Sequence, residues 1–231
     1  MMKTLALLGN PNVGKTTLFN SLTGSNQRVG NWAGVTVDKK EGTYNDYNIV
    51  DLPGIYAMDT YSNEEKVSKH FLETGNVDVI LNIIDASNIS RNLYLTLQLK
   101  QFNKPIILAV NMIDVAEKKG IHIDYNKLAE LLNVTVVPIQ ASKGIGIDTI
   151  KQMLDNSTYS NDIDKNNYNF DSEKETYAYI ETILEKSSKV VSVTKSSFKE
   201  KIDNVLLNPF LAYPLFFIIM ALMFQVTFTW I

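Results

Sequence analysis

Short apolar runs alternate with longer amphipathic stretches along most of this chain. The runs at residues 4–8, 35–40, 45–50, 79–84, 106–110 and 134–139 have the length and composition of strands. The segments 15–22, 64–73, 91–102, 125–132 and 147–154 repeat apolar residues at helical spacing. This alternation predicts an α/β domain over residues 1–155, a mostly parallel six-stranded sheet flanked by helices. Residues 156–171 are rich in Asn, Ser, Asp and Tyr, with little to bury, and are expected to be a linker. Helical spacing returns at 173–193 and 196–206, predicting a small helical domain over 172–207. Beyond it, residues 204–231 carry no charge and 210–231 are almost continuously apolar. A helix of that length extends about 33 Å, enough to span a bilayer core, so 208–231 is expected to be a transmembrane helix. The alternative, a buried helix of a soluble protein, would usually show a polar face. Tyr213 and Trp230 near the two ends suit membrane interfaces, and Lys195, Lys199 and Lys201 before the span place that flank in the cytoplasm.

Composition narrows the chemistry. A net charge of −3 gives no electrostatic reason to expect nucleic-acid binding. The absence of cysteine excludes disulfides and thiolate metal sites. His70 and His122 have no ligand-spaced partner and are expected on the surface or on helices. Met1-Met2-Lys3 runs into the first strand without a signal-peptide pattern, so the domain should face the cytoplasm.

Chemistry enters at the strand ends. Gly9-Asn10-Pro11-Asn12-Val13-Gly14-Lys15-Thr16, followed by Thr17, fits G-x-x-x-x-G-K-[ST] between a strand and a helix. Such a loop turns successive N–H groups towards anionic oxygens, and the helix adds the positive end of its dipole. Lys15 can reach β- and γ-phosphates, and the Thr16 hydroxyl can ligate Mg²⁺. Asp51-Leu52-Pro53-Gly54 ends another strand; its carboxylate can hold Mg²⁺ through water, and the Gly54 N–H can bond a γ-phosphate. Thr36, within Gly34-Val35-Thr36-Val37-Asp38, can complete the Mg²⁺ shell and make this segment an ordering switch. Asn111-Met112-Ile113-Asp114 follows a buried strand. The Asp114 carboxylate can accept from guanine N1–H and the exocyclic amine, an edge that adenine does not present. Ala141-Ser142-Lys143 lies where its backbone N–H groups can reach the guanine carbonyl. Order and spacing together predict a site for GTP or GDP, with Lys15, Asn12, Thr36 and Gly54 as the catalytic candidates.

Several segments carry a more specific likeness: Asn31-Trp32-Ala33-Gly34-Val35-Thr36, Tyr61-Ser62-Asn63-Glu64-Glu65, the stretch 91–99 beginning Arg91-Asn92-Leu93-Tyr94, and the run 209–228. With the nucleotide motifs, these resemble the N-terminal part of the FeoB family of bacterial ferrous iron transport proteins. The resemblance implies a Ras-like P-loop GTPase domain, a helical GDI-type domain, here shorter than the family usually carries, and the start of a polytopic membrane domain. It further implies GTP hydrolysis at the cytoplasmic face of a bacterial or archaeal membrane, coupled to Fe²⁺ uptake. The expected partners are the rest of the membrane domain, small accessory Feo proteins and a homo-oligomer. Ile55 stands where many small GTPases carry a water-orienting Gln, and no arginine finger is evident. In the family a K⁺ ion beside the phosphates supplies positive charge, and the matching positions are Asn12, Gly30 and Trp32. Asn12 also reads as an ordinary turn former. Glu64 and Glu65 either position water or are plain first-turn helix residues. Two rivals remain, a membrane-tethered signalling GTPase and a soluble ribosome-assembly GTPase; the latter predicts a basic RNA-binding module after residue 155.

Overall fold

The computed structural model describes residues 2–24, 27–32, 35–59, 61–160, 170, 172–190 and 209–229, with the side chains of 190, 209–212, 215 and 229 left out. The chain divides into two compact units, Met1–Val191 and Ser192–Ile231.

The first unit is built on β1 (Lys3–Gly9), α1 (Lys15–Thr23), β2 (Gln27–Asn31), β3 (Asp38–Tyr44), β4 (Tyr47–Asp51), α2 (Asn63–Thr74), β5 (Val79–Asp85) and α3 (Ile89–Lys100). It continues through β6 (Ile106–Asn111), α4 (Ile113–Lys118), β7 (Ile121–Ile123), α5 (Tyr125–Leu132), β8 (Thr135–Pro138), α6 (Ile147–Asn156), α7 (Glu173–Ser187) and β9 (Ser188–Val190). The main sheet has strand order β2-β3-β4-β1-β5-β6-β8. β4, β1, β5, β6 and β8 are parallel, while β2 and β3 run antiparallel at one edge.

Strand alternation explains why both faces need helices. Leu5 and Leu7 of β1 enter one core with Phe19 of α1 and Ile150 of α6. Ala6 and Leu8 enter the other, with Leu93 of α3, Leu128 of α5 and Ile180 of α7. A strand buried on both sides is continuously apolar, which is the pattern of β1, β5 and β6.

The sheet thus has seven strands where the pattern predicts six. β2 escapes detection because Gln27–Asn31 is an edge strand without a buried face, its single large apolar residue Val29 being 70% exposed. The strand expected at 35–40 begins only at Asp38. Residues 35–37 instead close a turn in which Trp32 N–H donates to Val37 O at 2.9 Å and Val35 N–H donates to Trp32 O at 3.3 Å. The helix expected over 173–193 ends at Ser187, where Ser188–Val190 pairs antiparallel with Ile121–Ile123 as a second sheet. α7 packs on α3 and α5 within the first unit, burying Ile180 and Ile183, so the break between units falls at 191/192 rather than at 155/156. The expected helix 196–206 and the flanking Lys195, Lys199 and Lys201 lie outside the described residues.

In the second unit, α8 (Pro209–Thr229) is a 21-residue helix with Pro214 inside it. Its described large apolar side chains are exposed, among them Phe217 at 67% and Phe228 at 79%. Among the described residues, no helix is long and apolar enough to cross a membrane. Trp230 lies outside them.

Candidate functional site: a phosphate loop at the carboxyl edge of the sheet

Strand register gathers the motifs. Leu7 is opposite Asp51, Gly9 opposite Ile83, and Asp85 opposite Asn111, so the ends of β1, β4, β5 and β6 form one edge. Ligands bind at this edge in open α/β sheets.

The phosphate loop leaves β1 at Gly9 and re-enters order at α1. Asn12 has φ 65° and Gly14 has φ 94°, so the loop reverses its curvature twice within three residues. At Gly14 the conformation and the space both demand glycine: a Cβ there would collide with the Asn111 carboxamide. α1 has no acidic residue in its first turn to compete for an anion at its N-terminus. Lys15 and Thr16 open that turn. The Lys15 ammonium is paired with the Asp51 carboxylate, both largely buried.

The second motif folds back over the first. Leu52 N–H donates to Leu7 O at 3.0 Å and Ile55 N–H donates to Gly9 O at 3.2 Å. Gly54 lies against Pro11, where an added Cβ would sit 3.3 Å from Pro11 Cα. Asp51, Leu52, Pro53 and Gly54 are therefore in place beside the phosphate loop.

Asn111 is the hub of the far end of this edge. Its Nδ2 donates to Val13 O at 2.8 Å, and its Oδ1 accepts from Ala141 N–H at 2.9 Å. One buried carboxamide thus fixes the phosphate loop, the Asn111–Asp114 motif and the Ala141–Lys143 turn together. Met112 takes the left-handed conformation at φ 59°, which turns the chain into α4 and puts Asp114 in its first turn. Lys143 Nζ lies 3.5 Å from Asp114 Oδ2, an exposed pair that holds little energy but places the two motifs side by side.

The remaining expectations are less gathered. Among the described residues, no hydrogen bond or ion pair ties Thr36, Val37 or Asp38 to the phosphate loop, and Gly34 lies outside them. Gly30 is in β2 opposite Lys39, and the Trp32 carbonyl is engaged by Val35. The Trp32 ring packs edge-on against Phe71 of α2, with centroids 5.3 Å apart. Glu65 is committed to helix capping: it accepts from the N–H groups of Tyr61 at 2.9 Å and Ser62 at 3.2 Å, while the Ser62 hydroxyl accepts from Glu65 N–H at 3.1 Å. That is the first-turn reading of Glu65, in the form of a capping box. His70 and His122 are exposed, on α2 and β7. Asn10, part of the loop motif, is 2% exposed, and neither end of its carboxamide has a partner among the described residues. A cavity of about 660 Å³ beside β2, β3 and β4, lined in part by Arg28 and Glu41, contains none of the motif residues.

Comparison with known proteins decides the family. Residues 3–154 match the family model for ferrous iron transport protein B. The chain belongs to the FeoB family. The Fe(2+) transporter FeoB of Salmonella typhimurium is 45% identical over 173 residues, 71% of this chain and 22% of that protein. The FeoB of Escherichia coli K12 is 48% identical over 160 residues, 66% of this chain and 21% of that protein. The chain therefore spans about a fifth of the length of these relatives. Among solved structures, an S. thermophilus NFeoB variant bound to mGDP superposes with TM-score 0.64 at 50% identity, covering 66% of this chain and 60% of that one. The cytosolic domain of T. maritima FeoB in its GMPPNP form superposes with TM-score 0.72 at 30% identity, covering 81% of this chain and all of that one. FeoB relatives thus share both the sequence and the Ras-like fold of the first unit.

Proposed function

We propose that this family member binds and hydrolyses GTP at the carboxyl edge of its sheet, as the cytoplasmic part of a ferrous iron transporter. The observation that carries the reading is the Asn111 carboxamide, which locks the phosphate loop to the guanine-selecting motif. A site assembled this way presents phosphate donors and a base-edge acceptor at fixed separation. The relatives' mGDP and GMPPNP complexes support the same reading.

Each residue has a distinct task. The loop N–H groups from Asn12 to Thr16 cradle the phosphates, and Lys15 leaves Asp51 to follow the charge on the β- and γ-oxygens. Asp114 accepts from the guanine edge and the Ala141–Lys143 turn donates to its carbonyl. Gly54, resting against Pro11, carries the N–H that distinguishes a triphosphate from a diphosphate. The oxygen donors Thr16, Asp51 and Thr36 are the set that a hard divalent cation takes, and they fit Mg²⁺. For K⁺, Asn12 offers a side-chain oxygen from the loop itself, with the carbonyls of Gly30 and Trp32 as the remaining donors. These cations would supply positive charge near the phosphates, where a guanidinium acts in other GTPases.

We further assign α8 to the membrane. The run 204–231 carries no charged residue, and the described large apolar side chains of α8 are exposed, which supports a place in a membrane domain of the kind the family's transporters carry. The family's iron substrate, the remaining membrane domain, accessory Feo proteins and an oligomer complete the reading and come from kinship alone. The residues described beyond the first unit form the apolar helix Pro209–Thr229, which does not favour an RNA-directed GTPase.

Calorimetry of the full chain with GTP, GDP and ATP tests the nucleotide assignment: the guanine nucleotides should bind and ATP should not. Equal binding of ATP would overturn it. GTP-dependent Fe²⁺ uptake by proteoliposomes of the complete transporter tests the transport assignment, and guanine-nucleotide binding without uptake would favour a signalling GTPase.

A further inference from the structure

Residues 55–59, directly after Gly54, are held from one side by α3. Gln98 uses both ends of its carboxamide: Oε1 accepts from Met58 N–H at 2.7 Å and Nε2 donates to Asp59 Oδ1 at 3.1 Å. Two turns earlier, the Arg91 guanidinium lies 4.2 Å from the centre of the Tyr56 ring. Positions 91, 94 and 98 share one helix face. The middle one, Tyr94, stacks on Tyr177 of α7 with centroids 5.3 Å apart.

α3 is a firm support for these contacts. Leu93, Leu95, Leu97 and Leu99 are buried, and Asn92 accepts from Asp85 N–H at 3.2 Å, tying the helix start to the end of β5. Ile55 and Met58 of the loop are buried in the same core as the leucines of α3, so apolar packing seats two of its five residues, and its polar groups are held separately. Ile55 is bonded to Gly9, and Ser62 begins the cap of α2. Between them, among the described residues, the hydrogen bonds of 56–59 are the two made with Gln98. Tyr56 is 46% exposed and does not anchor the loop by burial.

We infer that Gln98 is a positioning residue for GTP hydrolysis: by fixing Met58 and Asp59 it sets where Gly54 and the loop behind it rest against the γ-phosphate. It touches no reacting atom and acts through the loop. The inference rests on the GTPase reading above. Because Tyr94 on the same face packs against α7, the loop and α7 are referenced to one helix. A glutamine that merely satisfied two solvated polar groups would leave turnover untouched.

The chemistry of the pair gives a test with an internal rescue. Gln98→Ala removes both bonds while Ile55 and Met58 stay packed in the core, so the change falls on the polar side of the loop and on γ-phosphate geometry alone. GTP turnover should fall about tenfold, with KM for GTP moving much less, since misplacement of this kind acts on the transition state. GDP affinity and the thermal midpoint should stay at wild-type values. Gln98→Glu sets a carboxylate against Asp59 and should lose as much. Adding Asp59→Asn to Gln98→Glu restores one donor and one acceptor with reversed polarity, and turnover should recover.

Every variant is made in the 231-residue chain, kept in detergent micelles and assayed for steady-state GTP hydrolysis, calorimetric GDP binding and thermal unfolding. Wild-type turnover in Gln98→Ala would overturn the inference. So would a loss matched by equal loss of GDP affinity or of thermal midpoint, which marks a structural role, or a double variant no better than Gln98→Glu. A wild-type chain that binds neither nucleotide sinks the functional reading itself, and this inference with it, whereas the preceding outcomes sink the inference alone.

Discussion

The Asn111 carboxamide donates to the Val13 carbonyl, joining the tip of the phosphate loop to the end of β6 across 98 residues of sequence. Asn111→Ala would strand that carbonyl and the Ala141 N–H in a buried setting, at about 1–3 kcal/mol for each unsatisfied group. Thermal unfolding should come earlier, and GTP and GDP affinity should fall together because both ends of the site lose their common tie. Titration calorimetry beside a melting curve checks both effects.

On the proposed reading, Asp114 meets the base alone. Asp114→Ala would then remove two charge-assisted hydrogen bonds to guanine, each worth about 1.5–3 kcal/mol, so GTP affinity should drop a hundredfold or more. The Lys143 contact is exposed and weak, so the thermal midpoint should hardly change. Competition binding of GTP against ATP is the measurement, and the ratio should collapse towards unity.

Asn12 is the residue through which a monovalent cation would act. GTP turnover should be faster in K⁺ than in Na⁺, and Asn12→Ala should erase the difference while GDP binding persists. Equal rates in both salts for the unmodified chain would remove the cation role.

Glu65 separates helix capping from chemistry. Glu65→Ala deletes the reciprocal half of the capping box at α2 and should cost about 1 kcal/mol of stability. Glu65→Gln keeps an acceptor for Tyr61 and Ser62 and should cost less. Turnover should be retained in Glu65→Gln, whereas a general-base role would abolish it.

Tyr159 makes alkaline stability sensitive to one phenol. Burial first, and then its hydrogen bond with Tyr47, push its pKa from 10.0 up to about 12. The folded state therefore favours the neutral form. That contribution is complete below pH 10 and fades as pH rises from 10 to about 12, because the unfolded phenol ionises first. Tyr159→Phe should flatten the decline in melting temperature between pH 9.5 and 11 relative to the unmodified chain.

What the sequence reveals of this molecule divides along physical lines. β1, β5 and β6 are legible because two-sided burial makes them uniformly apolar, and the motifs are legible because phosphate and guanine recognition restricts both residue type and spacing. β2 is not, since an exposed edge strand needs backbone pairing and no apolar face. Neither is α4, which follows from the left-handed turn at Met112 and not from periodicity. The true end of α7 depends on Ser188–Val190 pairing with Ile121–Ile123 far upstream, a long-range pairing that local spacing does not encode. Lys15, Asp51, Gly54 and Asp114 can each be singled out from a motif, and the structure brings their motifs to one edge of the sheet. That Asn111 ties two motifs together, and that Gln98 grips the loop behind Gly54, emerges only when separate elements are brought into contact.

The seat of α7 on α3 and α5 bears on how the protein can be divided. A fragment cut at residue 155 would strip Ile180 and Ile183 from the cleft they fill and leave Leu93 and Leu128 wet on that side. Trimming should instead stop near residue 191, beyond the β7–β9 pairing, if the isolated piece is to keep its interior closed.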